Sequence, residues 1–284
     1  MIGHAKRAAA IVGIVAAVSA MIGGGMVIAG ALQGSGVSCA SMASDAASAP
    51  RDAHRAEVVI GVSANSQSAA DEASTLVAEA LASDTPGQQT VAKITVVVGD
   101  RAFLPQGMTC IGRDLLVSAA ATDLNSYRHA SSEARSDLAD ELVEQYADQT
   151  AVIADEIRSA IRSAPQPGPN SGVFFTWPFV ADVPADRDAF VLDVFTTAGD
   201  NCLTIDDPTA RSADGSLVFG TRVGECVAGG ELEVAAARSV RLRAVEALSL
   251  SGGQQQAQRT VMDALCAQAV AGGCAVHEPE DGAP

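Results

Sequence analysis

Apolar positions along this chain fall into short β-branched runs separated by stretches with helical spacing. The first run, EVVIGV over 57–62, has the look of a buried strand and is broken by Ser63-Ala64-Asn65-Ser66. Residues 69–82 follow with Leu76, Val77, Ala80 and Leu81 on one helical stripe, ended by Pro86-Gly87. VAKITVVV over 91–98 is a second strand, closed by Gly99-Asp100, and a short extended piece is predicted at 114–117. Leu138, Leu142, Tyr146, Ile153, Ile157 and Ile161 then keep one helical face through a long region predicted as a single helix over 123–164, which the Pro-rich stretch 165–169 stops.

AFVLDVFTTAGDN, residues 189–201, is the most informative stretch. Its apolar part predicts a central buried strand over 189–196, and it ends in a small, polar, Gly-containing turn. A polar, Gly-rich insertion is predicted at 201–230, in the form of a hairpin. Beyond it come a strand over 240–250, a helix over 254–270 and a last short strand over 275–277. Strands alternating with helices predict an α/β fold: a three-layer, Rossmann-like, mainly parallel sheet with helices on both faces. The domain is predicted to occupy 56–277, with a frayed acidic tail at 278–284.

The N-terminal part follows a different rule. Lys6 and Arg7 precede an uncharged apolar run over 8–32, which as a helix would reach roughly 37 Å, enough to cross a bilayer core of about 30 Å. Segment 1–34 is therefore predicted as a transmembrane anchor or signal segment, with the positive flank inside and the remainder extracytoplasmic at the cell membrane. An uncleaved single-pass anchor competes with cleavage after Ser41-Met42-Ala43. It also competes with lipidation of Cys39 in Gly36-Val37-Ser38-Cys39, which would make the chain a lipoprotein. Residues 35–55, rich in Ser and Ala, read as a flexible stalk.

Charge and cysteines narrow the function classes. A formal net charge of −16 with no basic cluster argues against nucleic acid as a partner. Neither a P-loop nor a Gly-x-Gly-x-x-Gly fingerprint occurs, and no cofactor is expected. Six cysteines fit an oxidising compartment. Local loop closure suggests Cys202 with Cys226 and Cys266 with Cys274, leaving Cys110 free or paired with Cys39. Zinc on Cys266, Cys274 and His277 does not suit the usual ligand spacings.

In a doubly wound sheet, loops at the carboxyl ends of neighbouring strands converge on one crevice. That places Ser63, Asn65, Ser66, Thr196, Thr197 and Asp200 together as a candidate ligand crevice. Here the chain resembles the von Willebrand factor A-like family through VVIGVSANS, residues 58–66, and VLDVFTTAGDN, residues 191–201. The resemblance implies a Rossmann-like sheet whose first strand ends in Asp-x-Ser-x-Ser and a later one in Thr-Asp-Gly, together holding a divalent metal. This sequence departs at the carboxylates: Gly61 stands for the Asp, Asn65 for the second Ser, and Thr197-Ala198-Gly199 for Thr-Asp-Gly. A hard cation needs oxygen ligands and usually a carboxylate, so no metal is expected, with Asp200 the remaining rescue.

Two further groups bear on function. Gly61-Val62-Ser63-Ala64-Asn65 is one residue short of a nucleophile elbow, and Ser63, Asp200 and His277 follow the chain order of an envelope serine hydrolase. Phe174, Phe175, Trp177 and Phe179 form a candidate contact surface if exposed, or core beneath a helix if not. The expectation from all of this is a membrane-anchored extracytoplasmic binding or scaffolding domain rather than an enzyme. Its envelope protein partner is unidentified, and a lipoprotein binding a small ligand is an alternative.

Overall fold

The computed structural model describes residues 37–62, 67–165, 173–193, 202, 222–244 and 252–277. Residues from Val37 onward form a unit of their own, separate from Met1–Gly36.

Strand β1 (His54–Val62) lies parallel to β2 (Gln89–Val98), and helix α2 (Gln67–Leu81) connects them. β1 also pairs in parallel with β5 (Asp188–Asp193), which pairs with β6 (Ser239–Ala244), which pairs with β7 (Gly273–His277). Two short strands, β3 (Arg101–Ala102) and β4 (Asp114–Ser118), pair antiparallel with β2 and close that edge. The order is thus β3-β2-β1-β5-β6-β7 with β4 beside β2. The fold class is α/β with a mostly parallel mixed sheet. Helices pack on both faces because strand residues alternate in direction.

On β1, Val58 and Ile60 join one core with Ile94, Val96, Phe190 and Leu192, while Val59 joins another with Val97, Ala189, Val191, Val240 and Leu242. The first core is covered by α2 and by α4 (Ser132–Ser163), and the second by α5 (Val173–Ala181) and α7 (Gly252–Gln268). Fully burying the β-branched side chains of the inner strands stabilises the sheet by about 1.5–3 kcal/mol each.

The long helical region is two helices. α3 (Ala121–His129) ends at an extended Ala130, and Ser131 starts α4 by accepting the Ala134 N–H. A serine N-cap in β conformation ends continuity that the hydrophobic stripe alone would allow. Side chains of α4 then hold the neighbouring corner. Gln149 accepts the Ser118 N–H, Gln145 accepts the Ala120 N–H, and the buried Tyr146 hydroxyl donates to Thr90 Oγ1 at 2.9 Å. Burial pushes the Tyr146 phenol above its usual range, against the hydrogen bonds to Thr90 and Gln88.

Segment 37–55 is not a stalk. It forms helix α1 (Cys39–Asp45) and a short 3-10 turn (Ala46–Ser48) that lead directly into β1. Ser38 caps α1 in a capping box with Ser41, and Cys39 and Met42 are buried in the first core. A serine-rich composition resembles a linker, but here those serines satisfy helix ends.

The insertion is also not a hairpin where it is described. Cys226 sits on helix α6 (Val223–Gly229), ended by Gly230 at φ 74. At the start of β7, a Cβ on Gly272 would lie 2.4 Å from the carbonyl oxygen of Ala237, which explains the glycine. All three disulfides, Cys39–Cys110, Cys202–Cys226 and Cys266–Cys274, are formed. The two local pairings are as expected, and Cys110 takes Cys39. Among the described residues no helix is long and apolar enough to cross a membrane. The apolar run 8–32 lies outside them.

Candidate functional site

β1 and β5 are adjacent parallel strands, with Ile60 beside Leu192, and the chain order reverses between them. That is the topological switch point, where open α/β sheets place ligands beyond the carboxyl ends. The segments holding Ser63, Asn65 and Ser66 and holding Thr196, Thr197 and Asp200 leave from these two neighbouring strand ends. The six side chains themselves lie outside the described residues. Gly61, where the resembling family has a carboxylate, pairs with Val97 in the centre of the sheet.

One strand away stands a charged clamp that sequence reasoning missed. Arg243 on β6 is beside Leu192, its Nη1 is 2.7 Å from Glu79 Oε2, and its Nη2 is 3.5 Å from Glu72 Oε2. Both acids belong to α2 and lie seven residues apart, hence on one helix face. Arg243 Nε and Glu72 Oε2 are buried without a hydrogen-bond partner. The arginine is therefore committed to two carboxylates and leaves no net positive charge for an anionic ligand. The signal was the alternation Val240-Arg241-Leu242-Arg243, which directs both arginines to one face. Arg241 lies over the Phe190 ring, 5.1 Å from its centroid.

The amino ends of β1, β5 and β6 meet on Asp188. Arg238 donates to it from Nε at 2.9 Å and from Nη2, Ser239 Oγ donates at 2.8 Å, and His54 Nε2 is 3.7 Å away. The Arg238 hydrogen bonds hold the Asp188 carboxyl below its usual range despite burial that opposes them. Asp188 lies between Ser239 and His54, so the serine proton faces a carboxylate and not an imidazole. That is the wrong order for activating a nucleophile. Nearby, Arg187 donates to both oxygens of Asp114 at 2.8 and 3.2 Å, which raises its pKa, and Lys93 pairs with the buried Glu57 at 2.8 Å. The Asp188 cluster ties the starts of parallel strands together at the end of the sheet opposite the switch point, while Glu57, Lys93 and Asp114 lie side by side in mid-sheet on β1, β2 and β4.

His277, the imidazole of the hydrolase alternative, is exposed on edge strand β7. β7 is three strands from β1, roughly 14 Å at ordinary strand spacing, so it stands far from the strand that Ser63 follows.

The aromatic segment divides. Trp177 is 2 % exposed, and its Nε1 donates to the Glu233 carbonyl at 2.7 Å. Phe179 is half-buried against the second core. For these two the contact-surface reading is corrected: α5 must cover β1 and β5, and its Trp and Phe fill that space. The side chains of Phe174 and Phe175 lie outside the described residues. A cavity of about 10 Å³ between Trp177, Val180, Val191, Leu242, Met262 and Leu265 has room for about one water.

Two groups bring a carboxylate to a cysteine pair: Glu156 with Cys39 and Cys110, and Glu231 with Cys202 and Cys226. The sulfurs are bonded to each other, and metal ligation needs the thiolate. The same bond leaves Cys39 no thiol to carry a lipid, which corrects the lipidation reading. Comparison of the chain with family models, curated proteins and solved structures returned no match.

Proposed function

We propose that the protein is a membrane-tethered extracytoplasmic binding or scaffolding domain, built on a von Willebrand factor A-like sheet whose metal site has lapsed. The observation behind this is the strand order, with an antiparallel strand at the β2 edge and a switch point between β1 and β5. The two stretches that resemble the family's metal motifs, 58–66 and 191–201, begin in those two strands and run past their carboxyl ends. Gly61 and Ala198 stand where its carboxylates would be, so a divalent cation would lack its strongest oxygen ligands.

Three disulfides support an oxidising compartment. Lys6 and Arg7 ahead of the uncharged run 8–32 support a tether with the domain outside. A binding role is favoured over hydrolysis because His277 is three strands from β1. Two measurements test the reading. Millimolar Mg²⁺ or Mn²⁺ should leave the melting temperature unchanged, since a ligand of the native state would raise it. The chain should stay with membranes through an alkaline carbonate wash. A cation-dependent rise in Tm overturns the lapsed site, and release by carbonate overturns the tether.

A further inference from the structure

We propose that the loop 101–113 is a membrane-surface contact, with Leu104 entering the headgroup–acyl boundary of an anionic bilayer and Arg101 and Arg113 facing its phosphates. The proposal rests on the tethered reading above and adds which face meets the lipid.

Leu104 is 62 % exposed, whereas Phe103 and Met108 of the same loop pack on the first core. Among the described residues, Val234 is the other large apolar side chain left exposed, at 46 %. Leu104 is also firmly presented. The Phe103 N–H donates to Val96 at 2.6 Å and the Gly112 N–H to Ile94 at 2.8 Å, so both ends of the loop are fixed to β2. Gly112, at φ 80, lets the loop fold back until a Cβ there would lie 2.7 Å from Leu104 Cδ2. A singly exposed leucine is by itself ordinary, but one on a loop held at both ends and flanked by arginines has the apolar-plus-basic make-up of an interfacial contact.

The flanking charges fit an anionic surface. Arg101 is 86 % exposed and Arg113 is exposed. Their neighbouring acids are Asp100, 3.6 Å from Arg101, and Asp114, which is engaged by Arg187. Two arginines bracketing an exposed leucine stand out in a chain of net charge −16.

The covalent path supplies the occupant. Cys110, in this loop, is bonded to Cys39. Cys39 follows Leu32, the last residue of the apolar run, by seven residues, and a chain of that length spans about 25 Å at most. The loop is therefore joined, through one disulfide and seven residues of chain, to the run that would enter the bilayer. Each arginine near an anionic surface strengthens attachment about fivefold, and the buried leucine adds a comparable or larger factor.

The test uses the full chain reconstituted in vesicles of phosphatidylglycerol and phosphatidylcholine, with Leu104→Trp and Val234→Trp compared against the parent. Native Trp177 is buried and gives a constant background. Phospholipids brominated near the carboxyl end of the acyl chain should quench the tryptophan at 104 several-fold more than the one at 234. Equal quenching in a chain that resists carbonate overturns the loop contact while leaving the tether intact. Release by carbonate overturns the tether and this contact with it. Hydrogen exchange of the unaltered chain is an independent check if Leu104→Trp misfolds. Amides 101–108 should exchange more slowly in anionic than in zwitterionic vesicles, and equal rates overturn the contact.

Discussion

Cys39 and Cys110 are joined across 71 residues, and the Cys110 backbone N–H donates to Glu156 Oε1 at 2.5 Å. The N-terminal helix, the edge loop and the long helix α4 are thereby tied at one point. Removing the covalent part should release chain entropy in the unfolded state, about 4 kcal/mol for a loop of this size. Cys39→Ser with Cys110→Ser should lower stability by about 2–4 kcal/mol, read from the urea midpoint. Non-reducing peptide mapping of the parent should recover Cys39 linked to Cys110.

Glu156 also accepts the Thr109 N–H at 2.6 Å. One carboxylate oxygen thus satisfies two backbone donors in a loop that has no strand partner there. Glu156→Ala leaves both N–H groups without it, at a cost of about 2–4 kcal/mol. Glu156→Gln retains an acceptor and should cost about 1 kcal/mol. Chemical denaturation of the two variants separates them, with faster hydrogen exchange at Cys110 in Glu156→Ala.

Asp188 makes stability depend on acid. Its folded carboxyl is lowered first by the Arg238 hydrogen bonds. A lowered carboxylate adds stability that is fully present above its unfolded pKa, about 3.9, and is lost as pH falls through the folded value. The parent should therefore lose more stability between about pH 5 and pH 3 than Asp188→Asn, which has nothing to protonate. At neutral pH the variant should be weaker by about 1–3 kcal/mol. Urea midpoints across pH check both signs, and parallel curves would refute the assignment.

Trp177 fills the second core and satisfies its indole N–H on Glu233. Trp177→Phe should cost about 1–2 kcal/mol, from the lost hydrogen bond and some volume, and Trp177→Ala about 3–5 kcal/mol. Native fluorescence should be blue-shifted and poorly quenched by iodide. Ready quenching would contradict burial.

The hydrophobic pattern alone determined most of the sheet. Runs such as 57–62 and 91–98 are too apolar and β-branched to be anything but buried strands, and α2 follows from its stripe. Short-range cysteine spacing likewise suggested Cys202–Cys226 and Cys266–Cys274, and the structure forms both. The candidate crevice was legible only as two stretches that follow adjacent strands, since its side chains lie outside the described residues.

Only tertiary structure decided the rest, because the deciding interactions join residues far apart in the chain. Ser-rich 37–55 is helix and not stalk because Cys39 and Met42 find a core and Cys39 finds Cys110. Trp177 is core and not contact surface because α5 lies over β1 and β5. Arg243 pairs with Glu72 and Glu79 across more than 160 residues. Composition and period report what a segment prefers locally. Which surface each segment meets depends on sheet order, and that order is a property of the whole chain.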